Sequence, residues 1–155
     1  WLTDYDQNSE YDWSEVTLYY DLAGETDVYV GHRDDGSGWV VDYDLEDTRG
    51  WYSAGYYYDY LGRDDSSLGT YDDGRSWLID YDQDSVESWS YVQIFYDTAG
   101  ATDIYTGLWD DGRYWHYDMD QNDEHDWAED SYLYDDSGNL LSHWQIMDDG
   151  STVYV

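Results

Sequence analysis

The chain has 155 residues, with 38 Asp and Glu against five Arg and no Lys, and a formal charge of −33. That charge repels nucleic-acid phosphates and anionic lipid surfaces, which disfavours both as partners, and no apolar run approaches the length of a membrane span. The absence of Cys removes disulfides, thiolate metal sites and Cys nucleophiles, while 10 Trp and 21 Tyr supply far more buriable surface than a disordered chain carries, so a folded polyanion that needs counter-ions is expected.

The first stretch, WLTDYDQNSEYDW at residues 1–13, returns as WVVDYDLEDTRGW at 39–51, WLIDYDQDSVESW at 77–89 and WHYDMDQNDEHDW at 115–127. The period is 38 residues. Four units follow, 1–38, 39–76, 77–114 and 115–152, with residues 153–155 starting a further one. After the acidic phrase of the first unit the pattern predicts a strand over 14–20, a type I turn over Asp21 to Gly24, a strand over 26–33, a two-residue type I′ hairpin at Asp35-Gly36 and a strand over 39–44. Zero Pro, and Gly concentrated at turn positions, favour strands over helices. The expected fold class is all-β: tandem repeats, each a three-stranded antiparallel unit, forming an elongated array.

The two loops predict cross-strand pairs. The second hairpin sets His32 opposite Trp39, Val30 opposite Val41 and Val28 opposite Tyr43, and the first sets Leu18 opposite Val28 and Val16 opposite Val30. One face is then apolar throughout, and the same columns hold Tyr56, Leu68, Trp77 and Ile79, then Ile94, Ile104, Trp115 and Tyr117. The other face collects acids, with Asp27 opposite Asp44 and Asp42 about 7 Å along the strand. Later copies repeat this as Asp65, Asp80 and Asp82, and as Asp103, Asp118 and Asp120. Like charges placed opposite one another destabilise a sheet unless something neutralises them.

The acidic phrase itself reads D-x-D-x-[DNE]: Asp4, Asp6, Asn8; Asp42, Asp44, Glu46; Asp80, Asp82, Asp84; Asp118, Asp120, Asn122. Hard oxygens at alternate positions suit calcium, which takes six to eight of them. A strict EF-hand is excluded, because its sixth position, normally Gly, is Ser9, Asp47, Ser85 or Asp123. The competing reading is a solvated acidic face. Tyr and Trp rows beside Asp also suit sugar stacking, which makes a repetitive carbohydrate-binding module the alternative function, although alternating aromatics are more often cross-strand packing. Catalysis is not expected: His32, His116, His125 and His143 fall at four different phases of the repeat, and no nucleophile elbow, phosphate loop or zinc spacing is present.

At YDDSGNLLSHWQIMDDGSTVYV, residues 134–155, the chain resembles the tandem YD repeats of Rhs-type bacterial surface and toxin-shell proteins, through Tyr134, Asp135, Gly138 and Asp149-Gly150 and, earlier, Tyr20, Asp21, Gly24 and Tyr96, Asp97, Gly100. The resemblance implies hairpins joined into a continuous sheet that serves as scaffold or shell, with no catalysis in the repeats. The 38-residue period is longer than the usual YD unit. The chain is also similar to aromatic, Asp-rich arrays of very large secreted calcium-binding bacterial proteins, but it lacks the G-G-x-G-x-D nonapeptide, so that family's ligand geometry does not transfer. The expected function is an extracellular or cell-surface scaffold, adhesin stalk or filament subunit stiffened by calcium. A start at Trp1 without Met, and strands left without partners at both ends, suggest a piece of a longer array or head-to-tail self-association.

Overall fold

The computed structural model describes residues 1–121 and 124–155. Among them are thirteen strands and no helix, and so no helix long and apolar enough to cross a membrane. The chain divides into two compact units, Trp1–Gly74 and Arg75–Val155. The first holds β1 (Leu2–Tyr5), β2 (Trp13–Tyr20), β3 (Thr26–Arg33), β4 (Gly38–Tyr43), β5 (Trp51–Tyr58) and β6 (Asp64–Tyr71). The second holds β7 (Ser76–Tyr81), β8 (Trp89–Tyr96), β9 (Thr102–Trp109), β10 (Tyr114–Met119), β11 (Trp127–Tyr134), β12 (Leu140–Met147) and β13 (Thr152–Tyr154). Within each unit every strand runs antiparallel to its sequence neighbours and pairs only with them, although the Tyr117 ring of β10 reaches Trp144 of β12 edge-on at 6.1 Å. Each unit is therefore a single-layer meander, stabilised by contacts between side chains of adjacent strands rather than by a second layer.

Asp builds the turns. At the β2–β3 turn the Asp21 N–H donates to the Glu25 carbonyl (2.9 Å), the Gly24 N–H donates to the Asp21 carbonyl (3.2 Å), and Asp21 Oδ1 accepts the N–H groups of Ala23 and Glu25 (2.9 and 2.8 Å). Asp59, Asp97 and Asp135 make the same pair of bonds in their own turns. A short side chain that satisfies two backbone donors from one oxygen explains why Asp stands here, as a left-handed backbone explains Gly24.

The register departs from the expected one by a single residue in both hairpins. The loop between β3 and β4 has three residues, not two: Arg33 pairs with Ser37 through its N–H (2.8 Å), Gly36 N–H reaches the Arg33 carbonyl (3.1 Å), and only Gly36 takes positive φ. A type I′ turn would need positive φ at Asp35 as well. The observed pairs are Gly31 with Trp39, Val30 with Val40 and Val28 with Asp42. In the first hairpin the turn is as expected, but the ladder jumps between Tyr20↔Thr26 and Tyr19↔Val28. Asp27 is thus the extra residue of a β-bulge, and Leu18 pairs with Tyr29 and Val16 with Gly31 instead of the expected valines. Asp65 and Asp103 are skipped in the same way.

A one-residue slip exchanges the faces. The row that forms is Asp4–Val16–Gly31–Trp39 on one face of the first unit, while Asp42–Ala54–Gly69 lies on the other. In the second unit Asp80–Val92–Gly107–Trp115 repeats the first row. Acidic and apolar residues therefore share faces, and the expected division into one apolar and one acidic face does not occur. Trp39 and Asp42 still point oppositely, as strand alternation requires. Val16, Trp39, Ala54, Val92 and Trp115 are the buried apolar residues, whereas Trp77 is half-buried. The indoles lie over glycine: a Cβ on Gly31 would sit 2.1 Å from the Trp39 ring, and one on Gly107 2.3 Å from the Trp115 ring. Absence of a side chain at these two places is what lets a large ring cover the strand.

Candidate functional site

The second Asp of each acidic phrase organises the loop that follows it. Asp6 accepts the N–H groups of Asn8 (3.2 Å) and Tyr11 (2.9 Å). Asp44 accepts those of Thr48 (3.1 Å) and Arg49 (2.5 Å), and the Thr48 hydroxyl as well (3.1 Å). Asp82 accepts from Val86 and Glu87, and Asp120 from Glu124 and His125. Ser9, Asp47 and Ser85, three residues on, carry the left-handed backbone that folds the loop back onto the carboxylate. The Tyr11 N–H lowers the Asp6 pKa; for Asp44 burial opposes ionisation, but the N–H groups of Arg49 and Thr48 outweigh it and the pKa is again lowered.

The other expected ligands are placed less uniformly. Asn8 bonds Glu10 through its side-chain amide (3.2 Å), Glu46 is exposed, and Asp84 accepts a second bond from Val86 N–H (3.3 Å). Asn122 lies outside the described residues. Asp27 does not face Asp44, because the bulge removes it from the ladder and Asp44 has left β4 to pair its N–H with the Tyr52 carbonyl (3.1 Å). Asp4, Asp42, Asp80 and Asp118 stand in strands opposite Val16, Ala54, Val92 and Asp130, and Asp65 is exposed at its bulge.

The third cluster is the one the fold gathers. Asp103, Asp118 and Asp120 line one cavity of about 130 Å³ together with Gln121, Glu124 and His125. Burial, with the charges of Asp103 and Asp130, raises the Asp118 pKa although His116 pulls it down. A second crowded place lies in the first unit, where burial and then Asp47 and Asp44 raise Asp72. Among the described residues no three His, Asp or Glu side chains come together as a metal ion would need. Calcium at the 130 Å³ cavity would thus have to complete its oxygen set with backbone carbonyls and water.

One cluster has no counterpart among the expected residues. Asp130 is buried (9% exposed), yet its Oδ2 accepts the Tyr132 hydroxyl at 2.6 Å and its Oδ1 accepts His143 Nε2–H at 2.7 Å, with Gln145 as a further donor. The Tyr132 and His143 rings stack at 4.2 Å and 13°. Burial opposes ionisation of Asp130, but the Tyr132 and His143 bonds lower its pKa, and the same bond to Asp130 pushes Tyr132 up to about 12. The available signal was phase: Asp130 stands 38 residues after Val92, 76 after Ala54 and 114 after Val16, all apolar. A search for repeated acids passes over an acid that appears once.

Comparison with protein-family models and with curated proteins finds no match for this chain.

Proposed function

We propose that the chain is a non-catalytic structural repeat protein, a scaffold of the kind that serves as a stalk, adhesin shaft or filament component outside the cell. The observation that carries this reading is that every strand within a unit pairs only with its sequence neighbours, so that length is added without redesigning a core. The finer unit is three strands and 38 residues. In support of it, β2, β5, β8 and β11 begin at Trp13, Trp51, Trp89 and Trp127, and the four Asp-built turns recur with them. The similarity to YD-type arrays in the motif Y-D-x-x-G agrees with such a use.

Deleting residues 77–114 joins Ser76 to Trp115 in the phase that Ser76 and Trp77 have now. The shortened chain should keep its β-type circular dichroism and a cooperative, lower melting transition. Complete loss of folding would mean that the units are not interchangeable and would remove the scaffold reading.

Calcium belongs to the proposal as the cation that neutralises the Asp103, Asp118 and Asp120 group. Any ion that binds only the folded chain stabilises it by mass action. Millimolar calcium should therefore raise the melting temperature more than sodium chloride at matched ionic strength. An equal effect of the two salts would reduce the acids to a screened polyanion.

A further inference from the structure

The second unit contains a groove of about 570 Å³ between the β9–β10 and β11–β12 turns. Tyr114 and Tyr134 are directly paired across β10 and β11, and their rings stand 5.9 Å apart at 43°, an open V rather than a closed stack. His116, two residues along β10 and on the same face, forms the next wall, and Gly112 and Gly138 of the two turns complete the lining. The turns approach closely there: a Cβ on Gly112 would lie 3.0 Å from Asp136 Cβ.

The two acids at the groove have different duties. Asp135 closes its own turn, accepting the N–H groups of Ser137 and Asn139 through Oδ1 and the Asn139 amide through Oδ2 (2.9 Å). Asp136 is exposed and takes no part in closing the turn, accepting only a long bond from the Ser137 hydroxyl at 3.3 Å through Oδ1. The nearest Arg in sequence, Arg113, is held elsewhere, bonded to Asp111 at 2.8 Å and placed 5.0 Å over the Trp109 ring. Aromatic faces beside an exposed carboxylate, in a chain of charge −33, attract an organic cation and repel anions.

The corresponding place in the first unit supplies a contrast. Between the β3–β4 and β5–β6 turns stand Gly38, Val40 and Tyr60 where the groove has Tyr114, His116 and Asp136, and Asp59 is paired with Arg63 at 2.6 Å. That place has lost two of the rings and the exposed acid.

We propose that the Tyr114–Tyr134–Asp136 groove binds a small organic ammonium ion, its cationic head against the two rings and its charge balanced by Asp136. The test is calorimetric titration of the whole chain with choline in 150 mM sodium chloride, alongside its neutral isostere 3,3-dimethylbutanol, with Tyr ring resonances followed by NMR. Choline should bind saturably at one site and shift Tyr114 and Tyr134, and the alcohol should bind at least about tenfold more weakly. Tyr134→Ala and Asp136→Asn should each weaken choline roughly three- to thirtyfold, whereas Tyr60→Ala in the first unit should change nothing. Asp136→Asn alters an exposed turn residue and keeps the test valid should the Tyr variant misfold. Equal binding of the alcohol, or wild-type affinity in both groove variants, would overturn the proposal.

Discussion

Two rows of the second unit occupy matching places and are built from opposite chemistry. Val92–Gly107–Trp115 is apolar: Val92 and Trp115 are buried, and the indole covers a glycine. Asp130–Gln145–Val153 follows it in phase, with a carboxylate for the valine, an amide for the glycine and a valine for the tryptophan. The first row gains from removing a large ring from water. The second buries a charge and satisfies it from Tyr132, His143 and Gln145, which is the condition under which a buried acid is tolerated. In a single-layer sheet, then, the polarity of a row can be reversed when the next row on the same face, here Tyr132 and His143, supplies its partners.

The sharpest way to break the contrast is to remove the ring. Trp115→Ala should cost about 3–5 kcal/mol in denaturant unfolding, as for large aromatic truncations in well-packed sites. Next in size, Gly107→Ala puts a methyl against the indole and 2.8 Å from the Tyr91 carbonyl oxygen, and should destabilise by about 1–3 kcal/mol as overpacking does; the same change at exposed Gly50, which has open space, should be nearly silent. In the polar row Asp130→Ala strands the Tyr132 hydroxyl and the His143 ring, at about 1–3 kcal/mol. It should also bring the Tyr132 phenol down from about 12, read by absorbance during alkaline titration.

The smallest expected effect concerns pH and has two signs. Asp130 has a lowered pKa, so its contribution is present above the ordinary carboxylate range near 4 and is lost as pH falls through the lower folded value. Asp118, directly opposite, has a raised pKa, so ionising it opposes folding at neutral pH and protonating it relieves that cost. In calcium-free buffer Asp118→Asn should therefore stabilise the chain slightly at pH 7, and the gain should vanish as pH falls below the raised value. A variant less stable than wild type at pH 7 would show that the Asp118 charge is compensated, as a bound cation would do.

Strand positions and turn sites were legible in the sequence, because Asp and Gly at fixed offsets have a local mechanism: Asp21 and Gly24 close the turn as their spacing implies. Parity was not legible. A bulge at Asp27 has no side-chain signature of its own, and D-D-G serves a three-residue loop as readily as a two-residue one, so each hairpin slipped by one. The recurrence of the acids is visible in the sequence, but spacing alone does not separate a metal ligand from an acceptor of backbone N–H groups. Asp6, Asp44, Asp82 and Asp120 bond donors four and five residues ahead or nearer, which only the folded loop reveals. Gly31 and Gly107 carry no local signal, since their reason for being small is a ring on the neighbouring strand.

Tryptophan lies on glycine across paired strands, and proton NMR reads that contact without any substitution. The Gly31 and Gly107 Hα resonances should be shifted strongly upfield by the Trp39 and Trp115 rings, with Gly31 Hα–Trp39 and Gly107 Hα–Trp115 cross-peaks. Unshifted glycine protons, with His32 rather than Gly31 paired to Trp39, would contradict the observed register and the placing of the two indoles on glycine.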